Sequence, residues 1–282
     1  MYKCDLQNIP AGISVHNYKV TVEGIKKKVI YHFSDVHLTE YDAASDENEK
    51  RIAIEGTKTW EKNRIHFAQL HNEPYSKEQL KSTHMLFSDM LMVADGGDAL
   101  VMTGDICDKV SGANLRFVDA ELSRLSVPFI SVLGNHENGE DIPEGHMLSP
   151  MKEPIQLMEL EDIIVLGIDD SLRYITKKQN EQIEKILSSD KPVIIAMHIP
   201  VMTEGNKAQL DACGEYFKLN HTEAPKEVFD FIDLIKKNSD KIIAVLAGHL
   251  HFANTSEIAP GIWQYVSTQG ALGNINRYEI GE

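Results

Sequence analysis

Five short apolar runs, each rich in Val and Ile and each cut off by a polar residue or glycine, constrain this chain more than any other feature. KKVIYHFSDVH stops at Asp35 and His37, DALVMTGDICD at Asp105 and Asp108, and VPFISVLGNHE at Asn135, His136 and Glu137. KPVIIAMHIP stops at His198, and KIIAVLAGHLH at His249 and His251. The runs are too short for helices, and helical stretches lie between them. SKEQLKSTHMLFSDMLMVA opens with a capping-box signature from Ser76 to Gln79, and TKKQNEQIEKIL can be capped by Thr176. APKEVFDFIDLIKKN places Phe229, Ile232 and Ile235 on one helical stripe. Strands alternating with helices predict an α/β fold with a largely parallel or mixed sheet covered by helices. Ligands of such sheets bind beyond the carboxyl ends of strands, so the five polar clusters are expected to converge. Gly104, Gly134 and Gly248 stand where the runs stop, positions expected to need a sharp turn or a positive φ.

The pooled side chains define a chemistry. His249 and His251 are two apart behind an apolar run, a spacing that on a strand sends both imidazoles to one face. Together with Asp35, His37, Asp105, Asn135 and His198 they form a shell of carboxylate, imidazole and amide without thiolate. Such shells suit borderline divalent ions, Mn, Fe, Zn or Co, rather than a cysteine-bound zinc or an all-oxygen calcium site. These side chains are too many for one ion. A two-ion site with a shared carboxylate accounts for them, the arrangement that clamps the attacking and leaving oxygens of a phosphoryl displacement.

In chain order the motifs are DxH (Asp35 to His37), GDxxD (Gly104 to Asp108), GNHE (Gly134 to Glu137), His198 after an apolar strand, and GHxH (Gly248 to His251). This ordered set resembles the calcineurin-like metallophosphoesterase superfamily over most of the chain. The resemblance implies two mixed β-sheets packed as a sandwich flanked by helices. It implies one ion held by Asp35, His37 and His251, a second by Asn135, His198 and His249, and Asp105 bridging them. The activity implied is hydrolysis of a small-molecule phosphoester by attack of a metal-bridged hydroxide on phosphorus. His136 then faces the substrate as proton donor or charge neutraliser, Asp108 holds its other ring nitrogen, and Glu137 supports the site from behind.

Departures narrow the branch. Lys109, Val110 and Ser111 follow GDxxD where the Ser/Thr protein phosphatases carry Arg-Gly, which disfavours that branch. Asp108 stands where purple acid phosphatases carry tyrosine. MHIP and LGIDDSLRYITKKQNEQIEKIL look more like the bacterial phosphohydrolase and phosphodiesterase branch, so the expectation leans to a phosphodiesterase, with a monoesterase of phosphorylated metabolites as the alternative. A degraded, protein-binding member of the fold is disfavoured because every motif position is filled.

A chain of 282 residues is read as one domain over 1–282, with a helical insertion at about 39–97 and a lid at about 201–224. Trp60, Arg64, His66, Phe67 and His71 of the insertion are available to line the cleft. Trp60 and Phe67, seven apart, read better as a packing stripe than as a substrate platform. Asp169 and Asp170 are adjacent, so they read as a turn or cap rather than an acid–base pair. The net charge of -15 repels phosphate backbones and disfavours nucleic acid as a partner. Cys4, Cys107 and Cys213 lack any paired spacing, and neither a leader pattern nor a membrane-spanning run is evident, so a cytoplasmic protein without a membrane partner is expected. Oligomeric state is left open.

Overall fold

The computed structural model describes residues 9–282; Cys4 lies outside them. Eleven strands run in chain order as β1 Ser14–Val20, β2 Lys28–Phe33, β3 Ala99–Met102, β4 Phe129–Ser131, β5 Ile155–Leu160, β6 Ile163–Ile168, β7 Val193–Ala196, β8 Ile242–Ala247, β9 Asn254–Ala259, β10 Ile262–Val266 and β11 Asn274–Ile280. The helices are α1 Glu47–Leu70, α2 Thr83–Ala94, α3 Gly112–Leu122, α4 Lys177–Leu187, α5 Lys207–Cys213 and α6 Lys226–Lys237. One sheet is ordered β1-β11-β2-β3-β4 and the other β5-β6-β7-β8-β10-β9. Both are mixed: β2, β3 and β4 are parallel while β11 runs against β2, and β6, β7, β8 and β10 are parallel while β5 and β9 are antiparallel edges.

Four layers result. Ile30, Val101 and Ile130 of the first sheet meet Val165, Ile194 and Leu246 of the second. The outer face of the first sheet, Tyr31, Phe33, Leu100 and Met102, packs under Phe87, Met90 and Leu91 of α2 and Leu115, Val118 and Leu122 of α3. Leu166, Ile195 and Val245 of the second pack under Ile183 and Leu187 of α4 and Phe231 and Ile235 of α6. Central strands buried on both faces have no solvent side to alternate toward, which is why they read as unbroken apolar runs.

The helices differ from expectation in two places. The Ser76–Gln79 signature does not open α2: Glu78–Leu80 is a short 3₁₀ turn, and the helix begins at Thr83. Ser76 N–H does donate to Gln79 Oε1 at 2.8 Å, but Gln79 spends its amide nitrogen on Leu272 O and Ser14 Oγ, a tertiary anchor rather than a helix start. On α6 the buried set is Val228, Phe231, Ile232 and Ile235, whereas Phe229 points outward and is 47% exposed. Thr176 caps α4 as expected, its hydroxyl accepting from Gln179 N–H and its own N–H donating back to Gln179 Oε1. Residues 201–224, without periodicity in the sequence, contain α5 and a 3₁₀ turn at Glu215–Phe217.

Candidate metal centre

All five clusters meet at the carboxyl ends of β2, β3, β4, β7 and β8, where the two sheets come together. Three close groups form. Asp35, His37 and His251 bring one candidate ligand atom each within 4.8 Å of one another, and Asp105, His198 and His249 do the same; the third is His37 with Asp108 and His136. In the first, His251 Nε2 is 3.3 Å from both Asp35 Oδ1 and His37 Nε2. In the second, His198 Nε2 lies 3.4 Å from Asp105 Oδ2 and 3.2 Å from Asn135 Oδ1. Asp105 Oδ2 also reaches to 3.9 Å from His37 Nε2, so it stands between the first two groups.

The donor set fits divalent ions. Asp35 Oδ1 is buried and makes no hydrogen bond, an expensive orphan unless a cation completes it. Burial holds His37 and His249 at a pKa of about 3, so both are neutral imidazoles with a lone pair to give. Burial opposes protonation of His198 too, but the Asp105 carboxylate outweighs it and raises the pKa to about 10. Two buried carboxylates demand positive charge; a protonated His198 supplies it from side chains alone, and binding a divalent ion would release that proton.

The backbone is bent to make this geometry. Asp35, His37, Asp105, His249 and His251 all have positive φ, between 52° and 71°. Of the three glycines, only Gly104 has a positive φ, of 84°; at Gly134 and Gly248 that alternative of the expectation does not apply. Those two are needed for close approach instead: a Cβ on Gly134 would overlap Asp105 Oδ1, and one on Gly248 would overlap Ser34 Oγ.

Support comes from behind. Glu137 accepts backbone N–H bonds from Asp105, Cys107 and Gly134 at 2.8–3.0 Å, tying the end of β3 to the end of β4. Asp170 accepts from His198 N and Ile199 N, both at 2.8 Å, and so fixes the end of β7. Asp169 does cap a turn, at Ser171, but the turn-or-cap reading of Asp170 undervalued it, because its partners are 28 and 29 residues away. His136 Nδ1 is 2.9 Å from Asp108 O and 3.2 Å from Asp108 Oδ1, and its backbone N–H donates to Asp105 Oδ1 at 2.9 Å. Burial lowers the His136 pKa, but the Asp108 carboxylate and the Asp105 charge prevail and hold it at about 9.

The stripe on α1 faces this centre. Trp60 stacks on His37 at 3.6 Å between ring centroids with 12° between planes, and its indole N–H donates to Asp108 Oδ1 at 2.7 Å. Phe67 sets its edge against His251 at 4.7 Å. The two rings do pack, but onto the cluster rather than onto an apolar core. Arg64 does not line the cleft: it is buried and donates to the carbonyls of Leu80, Lys81 and Ala271. From the other side Tyr216 O lies 3.3 Å from His249 Nε2, and the Phe217 ring packs on the same imidazole. No sequence signal marked Tyr216 and Phe217.

Fold and site together define a class, the metal-dependent phosphoester hydrolases. The chain belongs to the calcineurin-like phosphoesterase family, whose model matches residues 28–253. It is similar to a probable glycerophosphodiester phosphodiesterase of Arcobacter nitrofigilis, 25% identical over 170 residues that cover 56% of this chain and 58% of that protein. It is also similar to a probable cyclic nucleotide phosphodiesterase of Psychrobacter arcticus, 31% identical over 129 residues, 38% of this chain and 45% of that one. The matches thus span less than two thirds of either relative. The solved structure of a dimetal phosphatase from Danio rerio shares the fold, with a TM-score of 0.53 at 11% identity, covering 86% of this chain and 88% of that one.

Proposed function

We propose that the chain hydrolyses a small-molecule phosphodiester using two divalent transition-metal ions, Mn, Fe, Zn or Co, one held by Asp35, His37 and His251 and the other by Asn135, His198 and His249. The observation that carries this reading is Asp105, whose single Oδ2 reaches His198 Nε2 at 3.4 Å and His37 Nε2 at 3.9 Å. A carboxylate so placed would serve both ions. When bound, the pair supplies a nucleophile at neutral pH and a clamp for the phosphoryl oxygens. The chain's own residues do the rest. With Nδ1 engaged by Asp108, His136 has Nε2 left to hand a proton to the departing ester oxygen. Trp60 keeps Asp108 in place and closes one face of His37.

The diester preference is supported by the phosphodiesterase names of both relatives. The insertion at 39–97 and the lid at 201–224 then supply the walls that select substrate. Among the described residues no helix is long and apolar enough to cross a membrane. The cytoplasm, which keeps Cys107 and Cys213 reduced, suits this role. Initial rates on bis(p-nitrophenyl) phosphate and p-nitrophenyl phosphate, with Mn²⁺ and with a chelator, test the reading. Faster, metal-dependent cleavage of the diester is expected; faster cleavage of the monoester would replace the diesterase reading with a monoesterase one.

A further inference from the structure

A chamber of about 540 Å³ lies between the last turns of α1 and the α5 segment, beside the histidines of the centre. Phe67 and Leu70 of α1 and its C-cap His71 line it on one side, Cys213 and Phe217 on the other, and Leu250 sits between the two histidines of GHxH. Both walls touch the centre: the Phe67 ring is 4.7 Å from His251, and the Phe217 ring is 5.2 Å from His249. Among the described residues no Asp, Glu, Lys or Arg lines it, in a chain with 71 such residues, 43 acidic and 28 basic. Leu70 is left 59% exposed at its rim. Apolar surface of this kind gains free energy when an apolar group covers it, and apolar pockets with convergent polar groups at one end are the usual form of small-molecule sites.

We propose that this chamber receives an apolar, uncharged ester group of the substrate, with Phe67 and Phe217 offering ring faces to an aryl or short alkyl substituent. The inference rests on the phosphoesterase reading above and adds the substrate class: a phosphoester with a carbon-rich substituent, not one whose second group is charged. A polyanionic group would lose its hydration there with no cation in the lining to compensate.

The test uses 4-nitrophenyl phosphodiesters that share a leaving group and differ in the second ester, methyl, butyl or phenyl, on the Mn²⁺-loaded protein. kcat/KM is expected to rise roughly tenfold or more from methyl to phenyl, the scale on which an apolar pocket discriminates. Ala212 also lines the chamber, and Ala212→Asp should bring the phenyl-to-methyl ratio toward one. Ala208→Asp, one helical turn away, is a second variant for the same purpose. In parallel, calorimetry compares phenylphosphonate with methylphosphonate and should find the phenyl compound tighter in the native protein but not in the variants. Equal rates on all three diesters with equal phosphonate affinities overturn the chamber and leave the diesterase reading standing. Absence of diester turnover with phenylphosphonate still preferred overturns the diesterase reading and upholds the chamber. Absence of both turnover and preference overturns both.

Discussion

Among the described residues, five of the eight non-glycine residues with positive φ, Asp35, His37, Asp105, His249 and His251, are proposed metal ligands. Left-handed backbone at a non-glycine residue costs on the order of 1–3 kcal/mol and persists only where the surroundings over-determine it. Here the Glu137 carboxylate on Asp105 N–H, the Asp35 carboxylate on His249 N–H and the close approaches at Gly134 and Gly248 do so. Gly134→Ala should therefore push Asp105 aside, and elemental analysis of the purified variant is expected to show metal lost together with turnover. Asp105→Asn should lose both as well. His136→Ala is expected to keep its metal and lose about 10²- to 10⁴-fold in turnover, the usual worth of a positioned acid; full turnover on an alkyl ester would remove His136 from the mechanism. Trp60→Phe keeps a ring on His37 but deletes the bond to Asp108, so it should cost turnover less than His136→Ala while leaving metal content intact. The proposed ligands were legible because each ends an apolar run. The sequence alone reads Trp60 as packing and Asp170 as a turn or cap, and nothing in it marks Tyr216. Their partners are distant in sequence, with Trp60 48 residues from Asp108 and Tyr216 33 from His249.

Elements follow the same division between local and distant causes. The α4 capping box was legible because all its partners lie within three residues, and Thr176→Ala should cost about 1 kcal/mol of stability by urea unfolding. The identical logic failed at Ser76, because Gln79 is drawn to Leu272 across 193 residues. On α6 the apolar residues are dense enough to draw two stripes, and the buried one runs through Val228 and Phe231 because those face β7 and β8 of the second sheet. The five strands β2, β3, β4, β7 and β8 needed no tertiary information. Burial on both faces writes itself as an apolar run, and the first polar residue marks where the run leaves the sandwich. Which strands share a sheet was not legible, since β2, β3 and β4 belong to one and β7 and β8 to the other.

For the whole molecule, the four-layer build commits polar groups to the interior, and acid should expose that. His32 on β2 is fully buried against Thr103 Oγ1 at 2.8 Å, and burial lowers its pKa to about 3. The unfolded chain takes up this proton near the ordinary histidine value of about 6.5. The contribution is therefore present above that pH and is lost as pH falls from about 6.5 toward 3, at up to about 1.4 kcal/mol per pH unit. Urea unfolding at pH 7 and pH 5 should show a steeper loss for the native chain than for His32→Gln. The central claim is a larger one, that strand ends from two sheets build one centre for two ions around Asp105. It is tested most directly by titrating chelator-stripped protein with Mn²⁺ in a calorimeter while following phosphodiester turnover on the same samples. The account predicts two equivalents per chain, turnover that appears as they fill, and loss of that stoichiometry in Asp105→Asn; full turnover by the stripped protein, or two equivalents still bound by Asp105→Asn, would contradict it.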